Sequence, residues 1–267
     1  MDVYWLQQSE ADLPTTDDWL TECEATRLNS FRFAKRRFDW RLGRWTAKRA
    51  VAACLKLPKD PLALRQIEII PASSGQPEVI LHDQTGTISI SISHSGGVAL
   101  CAVAIGDVTL GCDLEMIEPR SDAFIADYFT EQEQDLVAQT RGDVRSLLAS
   151  LLWSTKESAL KALHVGLRAD TRSVEVDIRD LYGYWCVESD GNNLEGNLPS
   201  SLSTVSGIHW HSLQVQCAGG SNLCGRWQHS SNIVRTIVAA FPSGLTSTSG
   251  DIDVIELTSC EEWSARH

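Results

Sequence analysis

Apolar and polar residues alternate strictly along Thr87-Ile88-Ser89-Ile90-Ser91-Ile92-Ser93, the pattern of a half-buried strand. The sequence then opens into His94-Ser95-Gly96-Gly97, read as a flexible loop. Val98 to Ile105 is continuously apolar, Gly106-Asp107 supplies a two-residue turn, and Val108 to Glu115 returns, which predicts a hairpin. Such pairing brings Glu115 near the start of its partner strand and His94 near Asp113 and Glu115. Further strands are predicted at 3–7, 66–70, 173–178, 184–187, 209–216 and 233–240, with a turn over 73–77. Helical spacing covers Phe31 to Leu55, with apolar Phe38, Leu42, Trp45, Val51 and Leu55. Opposite them Arg37, Arg41, Arg44 and Lys48 form a basic stripe. Pro58 and Pro61 close this element. A second helix is predicted from Arg145 to His164, with Gly166 suited to its C-terminal cap. Thr16-Asp17-Asp18-Trp19 and Thr130-Glu131-Gln132-Glu133 read as helix starts. Residues 190–206 read as a polar loop, and the chain after residue 245 carries no pattern we can read.

These elements define an α+β protein. Pro119 interrupts the chain, and the expected division is an N-terminal half over 1–117, a C-terminal half over 118–245 and a tail over 246–267. Each half reads as a helix packed on a small antiparallel sheet, although no sequence repeat is visible. Apolar content of 43% is that of a globular chain, and no apolar run approaches the roughly 20 residues that span a bilayer. The first residues, Met1 to Leu6, lack a basic region followed by an apolar core, so no signal peptide is expected. Eight cysteines without a Cys-x-x-Cys pair read as small buried thiols of a reducing, cytoplasmic compartment.

Net charge is −12, which argues against nucleic acid as a partner. The charge is unevenly spread. Arg27 to Arg49 holds nine basic residues and one acid, so this window carries +8 and the remainder −20. A basic island on an acidic protein points to a localised anionic ligand; a solvated helix face is the plainer alternative.

Two stretches carry candidate chemistry. In Gly111-Cys112-Asp113-Leu114-Glu115, Asp113 and Glu115 lie two apart on a strand and point to the same side. Two carboxylates about 4–5 Å apart repel by roughly 3–4 kcal/mol at an effective dielectric of 20. Hard oxygen donors held this way suit Mg²⁺. In Trp153-Ser154-Thr155-Lys156-Glu157-Ser158-Ala159-Leu160-Lys161, Glu157 and Lys161 lie four apart on one helix face with Trp153. If helix faces strand, three carboxylates and an ammonium converge, a layout for phosphoryl chemistry. Taken singly, the first stretch reads more readily as an edge strand facing solvent and the second as an ordinary helix pair. His209 and His211 share one strand face without a third ligand.

Taken together, Ser93-His94-Ser95, the 111–115 stretch and the 153–161 stretch resemble the 4′-phosphopantetheinyl transferases. Length and order resemble the larger, pseudo-dimeric type typified by the surfactin synthetase activator, over roughly residues 3 to 240. The resemblance implies two similar halves related by a pseudo-twofold, with the site in the cleft between them. It implies transfer of the phosphopantetheine arm of coenzyme A to a serine of an apo acyl or peptidyl carrier protein, with release of adenosine 3′,5′-bisphosphate. Asp113, Glu115 and Glu157 would then bind Mg²⁺ with the pyrophosphate. Glu157 would also be the base, Lys161 would bind the pyrophosphate, and Ser93 and His94 would contact the 3′-phosphate region. Arg44 matches a phosphate-binding arginine, with Arg41 the runner-up. Members often carry Gly-Lys-Pro where this chain has Gly75-Gln76-Pro77, so one phosphate contact is weakened or replaced. A monomer is expected, since two halves complete a site. Rival readings of the same carboxylates are a Mg²⁺-dependent phosphatase or nuclease, and a non-catalytic module binding coenzyme A or carrier proteins.

Overall fold

The computed structural model describes residues 1–81, 87–166, 169–177, 209–218, 220, 222–240 and 252–257. The chain divides into two compact units, Met1–Leu110 with Ile252–His267, and Gly111–Asp251. The strand predicted at 184–187 and the polar loop at 190–206 lie outside the described residues.

The first unit contains β1 (Asp2–Ser9), α1 (Glu22–Ser30), α2 (Ala34–Cys54), α3 (Pro61–Arg65), β2 (Ile67–Pro71), β3 (Pro77–Leu81), β4 (Ile88–Ser95) and β5 (Val98–Ile105). The second holds most of β6 (Thr109–Met116), then α4 (Asp122–Tyr128), α5 (Glu131–Ala138), α6 (Gly142–Ala162), β7 (Val174–Val176), β8 (His211–Cys217), β9 (Asn222–Ser230) and β10 (Ile233–Ala240). A last strand, β11 (Asp253–Glu256), returns to the first unit. The architecture is α+β, with one sheet in the order β11-β1-β5-β4-β3-β2 and another in the order β6-β10-β9-β8-β7.

In the first unit, α2 lies on β1, β5 and β4. Its apolar face, Trp45, Ala47, Ala50 and Val51, is buried against Leu6, Ile90, Cys101 and Val103. In the second unit α6 lies on β10 and β7. It buries Leu147, Leu148, Leu151, Leu152, Ala159 and Leu160 against Val174, Leu213, Val234 and Val238. Setting β11 aside, both sheets share one plan: first strand at one end, then the last strand of the unit, with the rest following in reverse chain order.

Each unit also contains a buried ion pair of the same design. Thr21 caps α1 and Thr130 caps α5, and each begins a capping box closed by a glutamate three residues on. Glu24 takes the Thr21 amide on Oε2 and the Ile69 amide on Oε1. Glu133 takes the Thr130 amide on Oε2 and the Val176 amide on Oε1. Lys48 reaches Glu24 and the Trp19 carbonyl, and Lys156 reaches Glu133 and the Thr171 and Val174 carbonyls. Both lysines are 0% exposed. Burial alone pulls each ammonium below the ordinary lysine value, and its glutamate opposes that pull.

Several expectations are corrected. Thr16–Trp19 is a turn in which the Trp19 indole donates to the Thr16 carbonyl; the helix starts after Thr21. The stripe on α2 is not a solvent face, because Lys48 is buried in its ion pair. His94 and Ser95 belong to β4, paired with Ala99 and Val98, and the tight turn is Gly96-Gly97, both at positive φ. The β5–β6 hairpin does not form. Both edges of β5 are taken, by β1 and β4, and β6 joins the other sheet beside β10. The pairing that was to carry His94 toward Asp113 is therefore absent. The strand β9 was not predicted, and neither was β11.

Candidate active site

In the second unit, β6 and α6 approach so closely that Gly111 has no room for a side chain. A Cβ there would stand 1.9 Å from the Ser158 carbonyl oxygen and 2.8 Å from the Ala162 nitrogen. The helix is fixed from the other side by a hydroxyl cluster. Thr236 Oγ1 on β10 donates to the Ser154 carbonyl at 2.9 Å and meets Ser158 Oγ at 2.7 Å. Lys156 ties the same turn of α6 to α5 and β7. The result is a rigid pairing of β6 with the helix turn that carries Glu157 and Lys161.

On it, Lys161 Nζ donates to Asp113 Oδ1 at 2.7 Å and to the Cys112 carbonyl at 3.1 Å. Asp113 is buried and Lys161 about two-thirds buried. Burial works against the Lys161 ammonium, but the charge of Asp113, assisted by Cys112 and Glu157, outweighs it and holds its pKa above the ordinary lysine value. Glu115 accepts from the Trp153 indole at 2.9 Å and from Arg120 at 3.1 Å. Its pKa is raised by burial and by Asp113, against the pull of Arg120 and Trp153. Burial also raises the Glu157 pKa; Lys161 lowers it while Asp113 and Glu115 add to the rise. The three carboxylates therefore share one electrostatic field, around Lys161.

As placed, no group of three or more His, Cys, Asp or Glu side chains is gathered as a ligand set among the described residues. Asp113 and Glu115 instead each hold a cation, Lys161 and Arg120. The donor chemistry still fits a divalent ion: hard oxygens only, on three carboxylates whose mutual repulsion a cation relieves.

The residues expected at the other end of a nucleotide lie in the first unit. Its α1–α2 region carries an open pocket of about 620 Å³ lined by Arg27, Phe31, Phe33, Lys35, Arg36, Asp39, Trp40 and His94. Arg27 and Arg36 lie over the Phe31 ring, and Phe33 is 74% exposed. His94 is exposed at the pocket, whereas Ser93, its neighbour on β4, is buried. Arg44 is committed to the interior. It donates to the Ile69 carbonyl at 2.7 Å and lies 3.8 Å from Glu24, and burial lowers its pKa to about 10. Arg41 pairs with Asp17 and donates to the Pro14 carbonyl. The basic island was legible in the sequence, but which of its cations face a pocket was not. Arg120 was missed altogether, as it follows Pro119 in a segment without periodicity. Gln76 lies in the β2–β3 turn, its carbonyl accepting from the Ala72 amide.

Comparison with known proteins places this geometry in a class. The 4′-phosphopantetheinyl transferase superfamily matches residues 109–218, the segment holding β6 and α6. A holo-[acyl-carrier-protein] synthase of Streptococcus suis is 35% identical over 86 residues, covering 32% of this chain and 71% of that protein. The chain belongs to the phosphopantetheinyl transferase superfamily. Across more of its length it is similar to the L-aminoadipate-semialdehyde dehydrogenase-phosphopantetheinyl transferase of Mus musculus, 25% identical over 243 residues, covering 82% of this chain and 76% of that protein. A crystal structure of a Bacillus anthracis holo-(acyl-carrier-protein) synthase in complex with CoA (3′,5′-ADP) matches 39% of this chain and 93% of its own, at 19% identity and a TM-score of 0.34.

Proposed function

We infer that this protein transfers the 4′-phosphopantetheine arm of coenzyme A to a serine of an apo carrier protein, releasing adenosine 3′,5′-bisphosphate. The observation that carries the reading is the 2.7 Å contact of Lys161 on α6 with Asp113 on β6, with Glu157 within electrostatic reach of Asp113 and Glu115, all inside the segment that matches the superfamily. The serine oxygen forms a new bond to the β-phosphorus of coenzyme A, and the bond from that phosphorus to the bridging oxygen of the nucleotide breaks. Glu157 takes the serine proton. Burial raises its pKa, which makes it a stronger base than an exposed carboxylate. Lys161, whose ammonium form Asp113 favours against burial, leaves Asp113 for the pyrophosphate and offsets the charge that develops on the departing phosphate. Asp113, Glu115 and Glu157 would hold Mg²⁺, which when bound supplies further positive charge to the pyrophosphate.

The nucleotide end is assigned to the first unit. Its pocket joins cationic side chains with the aromatic Phe31 and Trp40, a combination suited to a phosphorylated adenosine. Arg27, Lys35, Arg36 and His94 are the proposed phosphate contacts, and they supply the charge that Gln76 lacks. Arg44 supports the pocket from within, packed over Trp40. The common strand order of the sheets supports two halves of similar plan, and we propose a cytoplasmic monomer.

Intact-protein mass spectrometry tests this directly. The protein, coenzyme A, Mg²⁺ and a panel of apo carrier proteins are mixed, with an EDTA control. One added phosphopantetheine, lost with EDTA, is the expected result. Hydrolysis of simple phosphate esters without an acceptor would instead favour a phosphatase, and coenzyme A binding without transfer to any carrier would favour a binding module.

A further inference from the structure

Glu115 is held at both carboxylate oxygens. The Trp153 indole donates to Oε1 at 2.9 Å, and Arg120 donates to Oε2 at 3.1 Å. The two donors are themselves joined. Phe124 lies 5.1 Å beneath the Arg120 guanidinium and packs edge-on against Trp153 with ring centres 5.0 Å apart. The Arg120 carbonyl accepts from Arg145, which pairs with Asp122. Arg120 is thus built into the unit rather than resting on its surface.

Formal charge gives this arrangement a consequence. Asp113, Glu115 and Glu157 carry −3, and Lys161 and Arg120 return +2, leaving about −1 for an incoming cation. Glu118, the second acidic partner of Arg120, is more than half exposed and counts for little. A divalent ion that meets −1 and two resident cations has little reason to stay. A pyrophosphate changes the balance, since it brings its own negative charge and draws Lys161 off Asp113. Arg120 is held where it is by Phe124 under its guanidinium and by Arg145 on its carbonyl.

We propose that Arg120 is a resident counter-cation that makes divalent-metal binding at these carboxylates depend on the polyphosphate substrate, while Trp153 is a positioning residue that orients Glu115. This rests on the reading that the carboxylates hold a metal. It separates the two donors by sign. Removing a charge next to a bound dication tightens its binding, whereas removing an orienting hydrogen bond loosens it. A merely structural role for both would loosen binding in both variants.

The test uses Mn²⁺ as the probe and the full chain, with free Mn²⁺ followed by electron paramagnetic resonance, without and with coenzyme A and corrected for Mn²⁺ held by coenzyme A alone. In Arg120→Gln, which keeps an amide donor, Mn²⁺ binding without coenzyme A tightens by at least about fivefold, the lower end of an ordinary coupling between two ligands. The gain on adding coenzyme A shrinks by the same factor. Arg120→Lys, which keeps the charge, stays near wild type. Trp153→Phe, which keeps the ring packing, binds Mn²⁺ more weakly in both conditions. Unchanged or weaker binding in Arg120→Gln overturns the counter-cation. Unchanged binding in Trp153→Phe overturns the positioning role. Wild-type protein that binds no Mn²⁺ even with coenzyme A overturns the metal reading beneath both.

Discussion

Lys156 meets Glu133 as Lys48 meets Glu24: each lysine sits in the long helix of its unit and ends on the glutamate of a capping box, which in turn holds a strand amide. In the second unit the next residue is Glu157, so the ion pair sets where the proposed base stands. Neutralising one partner leaves the other charged and buried. Lys156→Met should therefore cost about 3–5 kcal/mol, measured by urea denaturation, and Lys48→Met should cost a similar amount in the first unit. Replacing both partners, Glu133→Leu with Lys156→Met, should recover much of the loss, because the desolvated charge is then gone.

Glu157→Gln keeps the shape of the side chain and removes its basicity. Transfer to the carrier should fall by about 10²–10⁴-fold, the ordinary contribution of a general base, while coenzyme A still binds. Mass spectrometry of the carrier gives the first quantity and calorimetric titration the second. Wild-type turnover in this variant would remove Glu157 from the mechanism.

Gly111 lies where β6 meets α6, and Gly111→Ala puts a methyl into the Ser158 carbonyl. Backbone must move, and the helix that moves carries Glu157 and Lys161. We expect a loss of more than about 2 kcal/mol in stability, within the range of overpacked cores. Turnover should fall further than the population of unfolded protein accounts for. Circular dichroism melts alongside single-turnover rates separate the two.

Stability should also depend on pH through His211, which packs against Trp227 in the β8–β9 region. Burial, followed by the charges of His229 and His209, lowers its pKa to about 4, and burial lowers that of His229 as well. Above the ordinary value near 6.5 the imidazole is neutral whether the chain is folded or not, and the full stability is present. As pH falls from 6.5 to 4 the unfolded chain takes up a proton that the folded protein refuses, so stability declines by on the order of 2–3 kcal/mol. Urea midpoints at pH 7.5 and 5 should differ accordingly, and His211→Gln should flatten the difference.

Local spacing made part of this legible. Asp113 and Glu115 on one strand, and Glu157 and Lys161 on one helix, follow from periods of two and nearly four, and β5 and β10 have the bounds their apolar runs predict. Partners did not follow. Gly106-Asp107 predicts a hairpin, yet β6 pairs with a strand over a hundred residues away, because β5 already has a neighbour on each side. Charge was misleading on the helices: Lys48 reads as part of a solvated stripe until Glu24 is found opposite it. In β9 the alternation was hidden by Gly225, where a side chain would press into the Ile237 carbonyl and Val238. The hold of Arg120 on Glu115 depends on how the chain turns after Pro119, which no periodicity encodes.

The strand β11 lies parallel to β1, pairing Asp253 with Asp2 through Glu256 with Trp5, and Leu257 enters the first core. Residues 2–5 thus take a neighbour, residues 253–256, from far along the chain. During synthesis the second unit, Gly111–Asp251, has its whole sequence available before the first does, because sheet β11-β1-β5-β4-β3-β2 stays one strand short until residues 253–256 emerge. The first unit is therefore completed after the second, and a chain cut short after residue 245 leaves the edge of β1 open to the strands of other molecules.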